Sequence, residues 1–341
     1  MEEEVKRQIA LFTNSNSLPK IDTRVNIPGS IRKKTLIELL PKEDQSKLEK
    51  CFSKIEPETP FLFSDISSNA LQDIPSIKRV TKEIIEDFSQ HNVMYLELLT
   101  KLISRKDKYS KLEYLTSVLE EIQNSNFDKK MQTRLIISID RNGEISEFDE
   151  VFDIFSNFKN ADLKKLIVGI DYSGVNNNFK SYKEIIPFFA KFRKEGLKIT
   201  VQLGEIPNYI PFPFELFVPD RVSHCLFLKK EHIKEVINKN IPVEICPSYS
   251  YKVNHCIYYK DINLKNFWEE ENKYKNISLN SDMRSLLMTD ISQEYYEIGI
   301  NFKLGIRQLK DIIINSVNFI FENDEKIKNE LKSTVERFPD D

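Results

Sequence analysis

Leu18-Pro19-Lys20-Ile21-Asp22-Thr23-Arg24-Val25-Asn26-Ile27-Pro28-Gly29-Ser30 is the stretch on which the rest of the chain depends. It reads as a first barrel strand that brings Arg24 and Asn26 to one mouth, because strand residues two apart share a face. Outward from it, one unit recurs. Ile77, Val80, Ile84, Ile85 and Phe88 have the spacing of an amphipathic helix and feed into the short apolar strand Val93–Leu98. Leu112 to Ile122 as helix is followed by Leu135–Ile139 as strand, and Phe148 to Phe155 by Leu166–Ile170. Ile185 to Phe192 leads to Ile199–Gln202, a short helix near Phe212–Phe217 to Val222–Cys225, and Ile233–Ile237 to Val243–Ile245. Asn276–Leu279 is the last strand, with helices beyond it to about Asn329. Each short strand trails helical periodicity, which predicts one α/β domain, a (β/α)8 TIM barrel. The predicted layout is a polar arm or short helix over residues 1–17, the barrel over 18–330 and a C-terminal tail over 331–341. Ser30 is expected to cap a helix through Leu40, which Pro41 stops, with a further helix from Lys42 to Ile55.

With 341 residues, 40% hydrophobic and 11% aromatic, the chain can bury a full core. Its 50 basic and 53 acidic residues are dispersed, so no stripe points to nucleic acid or to an anionic membrane. Cys51, Cys225, Cys246 and Cys256 show no CxxC spacing, and the start Met-Glu-Glu-Glu-Val lacks signal-peptide character. Reduced thiols and a cytoplasmic location are expected, with no membrane span.

Chemistry in such barrels sits at the carboxyl ends of the strands. There the chain reads Val201-Gln202-Leu203-Gly204-Glu205-Ile206-Pro207-Asn208, Arg221-Val222-Ser223-His224-Cys225, Asn280-Ser281-Asp282-Met283 and Gly169-Ile170-Asp171-Tyr172-Ser173-Gly174. Together with the first strand, these resemble the ordered motifs of the adenosine/AMP deaminase family, from about Leu18 to about Phe321. The resemblance leans to the branch acting on N6-substituted adenosine monophosphates, through Tyr95–Leu98, Arg134–Arg141, Gly204–Asn208 and Ile291–Tyr295. It implies a barrel of the metallo-dependent hydrolase type and, in active members, a zinc ion. By this resemblance Arg24, Asn26 and Gln202 stand where the family has zinc-binding His, and Asp282 keeps the fourth ligand position. Glu205 matches the general acid, His224 the residue that orients the attacking hydroxide, and Gly174 the glycine against which the base lies. Met283 replaces a purine-contacting carboxylate, Leu99 an Arg of that branch, and Pro28 an Asp or Asn.

Zinc lowers the pKa of bound water from about 15.7 towards 7 and needs His, Cys or carboxylate donors. Arg has no lone pair to give and carries a permanent charge, and neutral amides are poor zinc ligands. No family-type zinc site and no other cofactor are expected. A displaced site from His224, Cys225, Cys246 or Asp282 has weak spacing. Arg24 is expected to reach into the metal position and pair with Asp282, with Asn26 and Gln202 hydrogen-bonding around it, since carboxylates left in a buried mouth need a cation. Met283 and Leu99 read as apolar fill. Three functions compete. The leading one is a catalytically inactive relative docked with other proteins in a cytoskeletal or other multiprotein assembly. The second is a non-catalytic purine nucleotide binder using Gly174, Glu205 and His224. The third is an active deaminase with an altered site.

Overall fold

The computed structural model describes residues 2–126, 130–174, 181–205, 209–268 and 275–340, with side chains from residue 7 onward. Ile206, Pro207 and Asn208, quoted above for the fifth-strand motif, lie outside the described residues. Eight strands form one parallel sheet in chain order: β1 Lys20–Asn26, β2 Val93–Lys101, β3 Gln132–Asp140, β4 Ile167–Ser173, β5 Lys198–Leu203, β6 Arg221–His224, β7 Val243–Ile245 and β8 Ile277–Leu279. Each strand through β7 hydrogen-bonds in parallel to the next. The sheet closes just past β8, where the Asp282 N–H donates to Arg24 O at 3.0 Å and the Asn26 N–H donates to Asp282 O at 3.2 Å. This is the expected (β/α)8 barrel, and its closure sets Arg24 and Asp282 side by side.

The strands are apolar runs because helices cover the barrel outside while other side chains fill its middle. Ile77, Val80, Ile84 and Phe88 of the helix Ile74–Gln90 and Ile185, Phe189 and Phe192 of Tyr182–Lys194 are all buried, as their spacing predicts. In β1 the pairing with β2 shifts register between Asp22 and Val25. Such bulges re-aim side chains, and both Thr23 and Arg24 reach Glu244 on β7.

Three expectations need correction. The predicted helix Ser30–Leu40 is two pieces, Ile27–Ser30 and Lys33–Leu39, separated by extended Ile31. Asn26 rather than Ser30 caps the first, and Ser30 Oγ instead donates to Asp282 O at 3.0 Å. Residues 212–217 hold a turn, not a helix, because Pro211 and Pro213 remove backbone donors there; Phe212, Phe214 and Phe217 are buried all the same. Of the two alternatives for residues 1–17, arm or short helix, the chain takes the helix, Glu2–Ser17, whose buried Leu11 lies against Gly299. Lys20 Nζ fastens its end by donating to Ser15 O at 2.8 Å and Leu18 O at 2.7 Å. The tail assigned to 331–341 is mostly helix, Glu325–Arg337, with Leu331 and Val335 buried.

Candidate functional site

Arg24, at the end of β1, is 3% exposed and points into the mouth. Its Nη1 donates to Asp171 Oδ1 of β4 at 3.0 Å and lies 3.5 Å from Glu244 Oε2. Its Nε donates to His224 Nε2 at 3.3 Å and sits 4.0 Å from Asp282 Oδ1. Arg24 therefore enters the mouth beside Asp282, but Asp171 is its nearest partner, not Asp282 as expected. Burial alone disfavours the guanidinium charge; Asp171, Glu244 and Asp282 outweigh it and hold Arg24 firmly protonated. Glu244 also faces Arg221, whose Nη2 pairs with Glu97 at 2.5 Å. Acid and base thus alternate through the barrel: Glu97, Arg221, Glu244, Arg24, then Asp171 and Asp282.

The expected amide shell around Arg24 is absent from the bonds that Asn26 and Gln202 make. Asn26 Oδ1 accepts from Gly29 N–H at 2.8 Å, and Gln202 Oε1 accepts from Gly174 N–H at 3.0 Å. Each amide serves its own neighbouring backbone, which a four-residue helix start and an adjacent strand end leave in need of an acceptor.

His224 is fully buried. It accepts a hydrogen bond from the Arg24 Nε–H at Nε2 and lies with its ring 4.3 Å from that of Tyr249. Burial, with Arg24 beside it, pushes its pKa well below the ordinary value, so the ring is neutral. His224, Cys225 and Asp282 all adopt positive φ, of 62°, 56° and 50°. Strain of this kind costs of order 1–3 kcal/mol each and persists only where surrounding structure dictates it.

Glu205 is 4% exposed, and its Oε1 has no hydrogen-bond partner among the described residues. Burial raises its pKa to about 8 against the pull of Arg141 and Arg24; Asp282 is raised by burial to about 7. A carboxyl with a raised native pKa favours the fold below its unfolded value, and that contribution is lost as pH climbs through the native one. Glu205→Gln should therefore gain stability relative to wild type between about pH 4.5 and 8, by up to about 1.4 kcal/mol per pH unit, and level off above. Urea unfolding of both proteins at several pH values measures this; a constant difference would show Glu205 ionised throughout.

Above Arg24 lies a cavity of about 270 Å³, whose lining includes Leu99, Lys101, Gly174, Tyr249, Asp282 and Met283. Leu99 and Met283 do supply its apolar wall.

The donor set at the family's metal positions does not suit zinc. Asn26 and Gln202 are amides already bonded to backbone, and a guanidinium stands among the remaining groups. His224, Cys246 and Asp282 do meet, with ligand atoms within 4.8 Å of one another. Cys225, one residue from His224, is not in that group; its weak donor Sγ is turned towards Ser223 O. Asp171, Glu244, Arg221 and Tyr249 gained no role from sequence reading. For Asp171, Arg221 and Glu244 the signal was a charge inside a buried strand, as in Val243-Glu244-Ile245; Tyr249, on the helix Pro247–Val253, gave none.

Parallel strands in barrel order, with histidine and carboxyl groups gathered where the strands end, define a (β/α)8 barrel of the metallo-dependent hydrolase kind. A family model described as adenosine deaminase matches residues 19–338. The chain belongs to the adenosine deaminase family. It is 26% identical to an adenosine deaminase of Clostridium perfringens over 94% of this chain and 99% of that one. It is 28% identical to an N6-methyl-AMP deaminase of Bos taurus, covering 94% and 95%. In fold it resembles the N6-methyl-AMP deaminase structure from Arabidopsis thaliana, at TM-score 0.81 and 24% identity over 95% of this chain and 98% of that one.

Proposed function

We propose that this chain is a family member that does not carry out zinc-dependent deamination and serves as a docking component in an assembly with other proteins. One observation carries the first half: the Arg24 guanidinium lies among Asp171, His224, Glu244 and Asp282, where a dication would have to sit. Without a metal-activated hydroxide, proton transfer by Glu205 or His224 supplies about 10²–10⁴-fold, far short of the usual enzymatic acceleration of 10⁶-fold or more. The docking half is supported by Ile257, Tyr258 and Met288, which stand 81%, 61% and 65% exposed around one groove beyond β7 and β8. Exposed apolar groups gathered in this way mark interaction surfaces.

The test is the zinc content of the purified protein together with ammonia release from adenosine, AMP and N6-methyl-AMP. The expected result is no stoichiometric zinc and no turnover; zinc with turnover would overturn the proposal.

The retained cavity favours a second reading, a non-catalytic purine nucleotide binder. Its size is near the lower end for small-molecule sites, about 300 Å³. Against a phosphate, Lys101 is paired with Asp140, and Asp65, Asp171 and Asp282 also line the cavity. Calorimetric titration with AMP separates the readings: heat of binding without turnover would favour this one.

A further inference from the structure

We propose that Arg24 is a built-in substitute for a metal ion, closing a three-ligand site of His224, Cys246 and Asp282 that becomes competent for zinc when the guanidinium is removed. The inference rests on the absence of the family's own zinc site and concerns a different donor set, since Cys246 follows β7 and matches none of the family's metal positions.

The chemistry of the three groups is that of a zinc site. Imidazole, thiolate and carboxylate are the donors zinc takes, at about 2.0–2.3 Å. Tetrahedral ligation at those lengths separates neighbouring donors by roughly 3.3–3.8 Å. His224 Nε2 and Asp282 Oδ2 already lie 3.7 Å apart. All three ligand atoms fall within 4.8 Å of one another, so closing on an ion asks for movements of roughly an ångström. All three residues are 5% exposed or less, and the cavity beside Asp282 supplies an entry path. In the wild-type chain the Nε2 lone pair that zinc would use is occupied by the Arg24 N–H, 3.3 Å away.

Charge explains why one cation excludes the other. Asp171, Glu244 and Asp282 surround a guanidinium of charge +1. Zinc binding through Cys246 breaks the S–H bond, sends that proton to bulk water and forms a Zn–S bond. The dication and the new thiolate together also add +1. Guanidinium and zinc thiolate are thus alternative ways to balance the same carboxylates, whereas both at once would place unlike-sized cations within about 4 Å of each other in a buried site, at several kcal/mol.

The experiment compares the full-length wild type, Arg24→Ala and Arg24→Ala/Cys246→Ser, each stripped with chelator and titrated with zinc chloride and with cobalt chloride. The expected result for Arg24→Ala is one zinc per chain, a raised melting temperature with zinc, release of one proton per ion and a thiolate-to-cobalt absorption band. Wild type should show none of these, and the double variant should lose the band and the proton release. If Arg24→Ala does not fold alone, it is refolded with zinc, and Arg24→Gln, whose amide can still donate to Asp171, is taken through the same titrations. Failure of both variants to take up metal, whether folded or refolded with zinc present, overturns the proposal, as does equal uptake by wild type through Cys246. The deamination assay stays separate: turnover by zinc-loaded wild type would defeat the functional reading, while metal-free variants beside an inactive wild type would defeat this inference alone.

Discussion

Arg221→Met should lower the stability of the chain by about 3–5 kcal/mol, read as a reduced denaturation midpoint in urea. Arg221 is wholly buried inside the barrel, its Nη2 2.5 Å from Glu97 Oε2 and its Nε 3.3 Å from Glu244 Oε1. The guanidinium carbon also lies 3.5 Å from the centre of the Phe321 ring, a cation–π contact from which water is excluded. Methionine fills much of the volume but leaves Glu97 and Glu244 facing each other across the vacated charge. Glu97 already has its pKa raised by burial, with Arg221 the chief opposing influence. Removing a partner from a buried pair is far costlier than replacing the whole pair with apolar groups. Adding Glu97→Gln to Arg221→Met should therefore recover part of the loss, since Gln still accepts the Phe321 N–H that Glu97 Oε1 now takes at 2.7 Å. Additive losses in the double variant would show that the two charges do not support each other.

Arg24→Met is expected to cost a similar 3–5 kcal/mol in metal-free buffer, for the same physical reason at the other end of the column. Three carboxylates lie within 4.0 Å of the Arg24 guanidinium, and none of them reaches solvent freely. With the charge removed, Asp282, already pushed to about 7 by burial, should titrate higher still. The loss should accordingly grow as pH rises, because the unfolded chain gives up protons that the folded variant retains. Asp171→Asn on the Arg24→Met background should restore stability by removing one unpaired charge, while in the wild-type background the same change should destabilise. Urea unfolding of the four proteins forms the cycle, and destabilisation of the same size in both backgrounds would sink the pairing.

The strands and most long helices were legible because a strand buried on both sides is a short apolar run and a covering helix shows apolar spacing of three and four. Ile277–Leu279 needed nothing more. What periodicity could not show was where backbone chemistry overrides it. Phe212 to Phe217 look like a helix by composition, yet two prolines hold the segment in a turn while its rings still find the core. Ser30 looks like a cap, yet Asn26 takes that place and releases Ser30 to Asp282. The C-terminal boundary was misplaced because the helix Glu325–Arg337 buries just two well-spaced apolar residues, Leu331 and Val335.

At the site, the arrival of Arg24 beside Asp282 followed from charge alone, since carboxylates at a buried mouth demand a cation. The first claim of Asp171 on that cation did not, because it depends on which strands face each other across the closed barrel. The amides of Asn26 and Gln202 were misjudged for a related reason. Unsatisfied backbone N–H groups at Gly29 and Gly174 compete for them, and neighbouring backbone wins over a more distant side chain.

The alternating column from Glu97 to Asp282 also bears on how the protein responds to dissolved electrolyte. Mobile ions weaken charge pairs that water can reach, over a screening length of about 8–10 Å at physiological strength, and act little on pairs they cannot approach. The lower part of the column, Glu97, Arg221 and Glu244, is wholly buried against Phe321, whereas Lys101 and Asp140 at the rim are 39% and 26% exposed. Rising ionic strength should thus loosen the rim while leaving the axis of the barrel untouched, so that the mouth softens around a centre that does not.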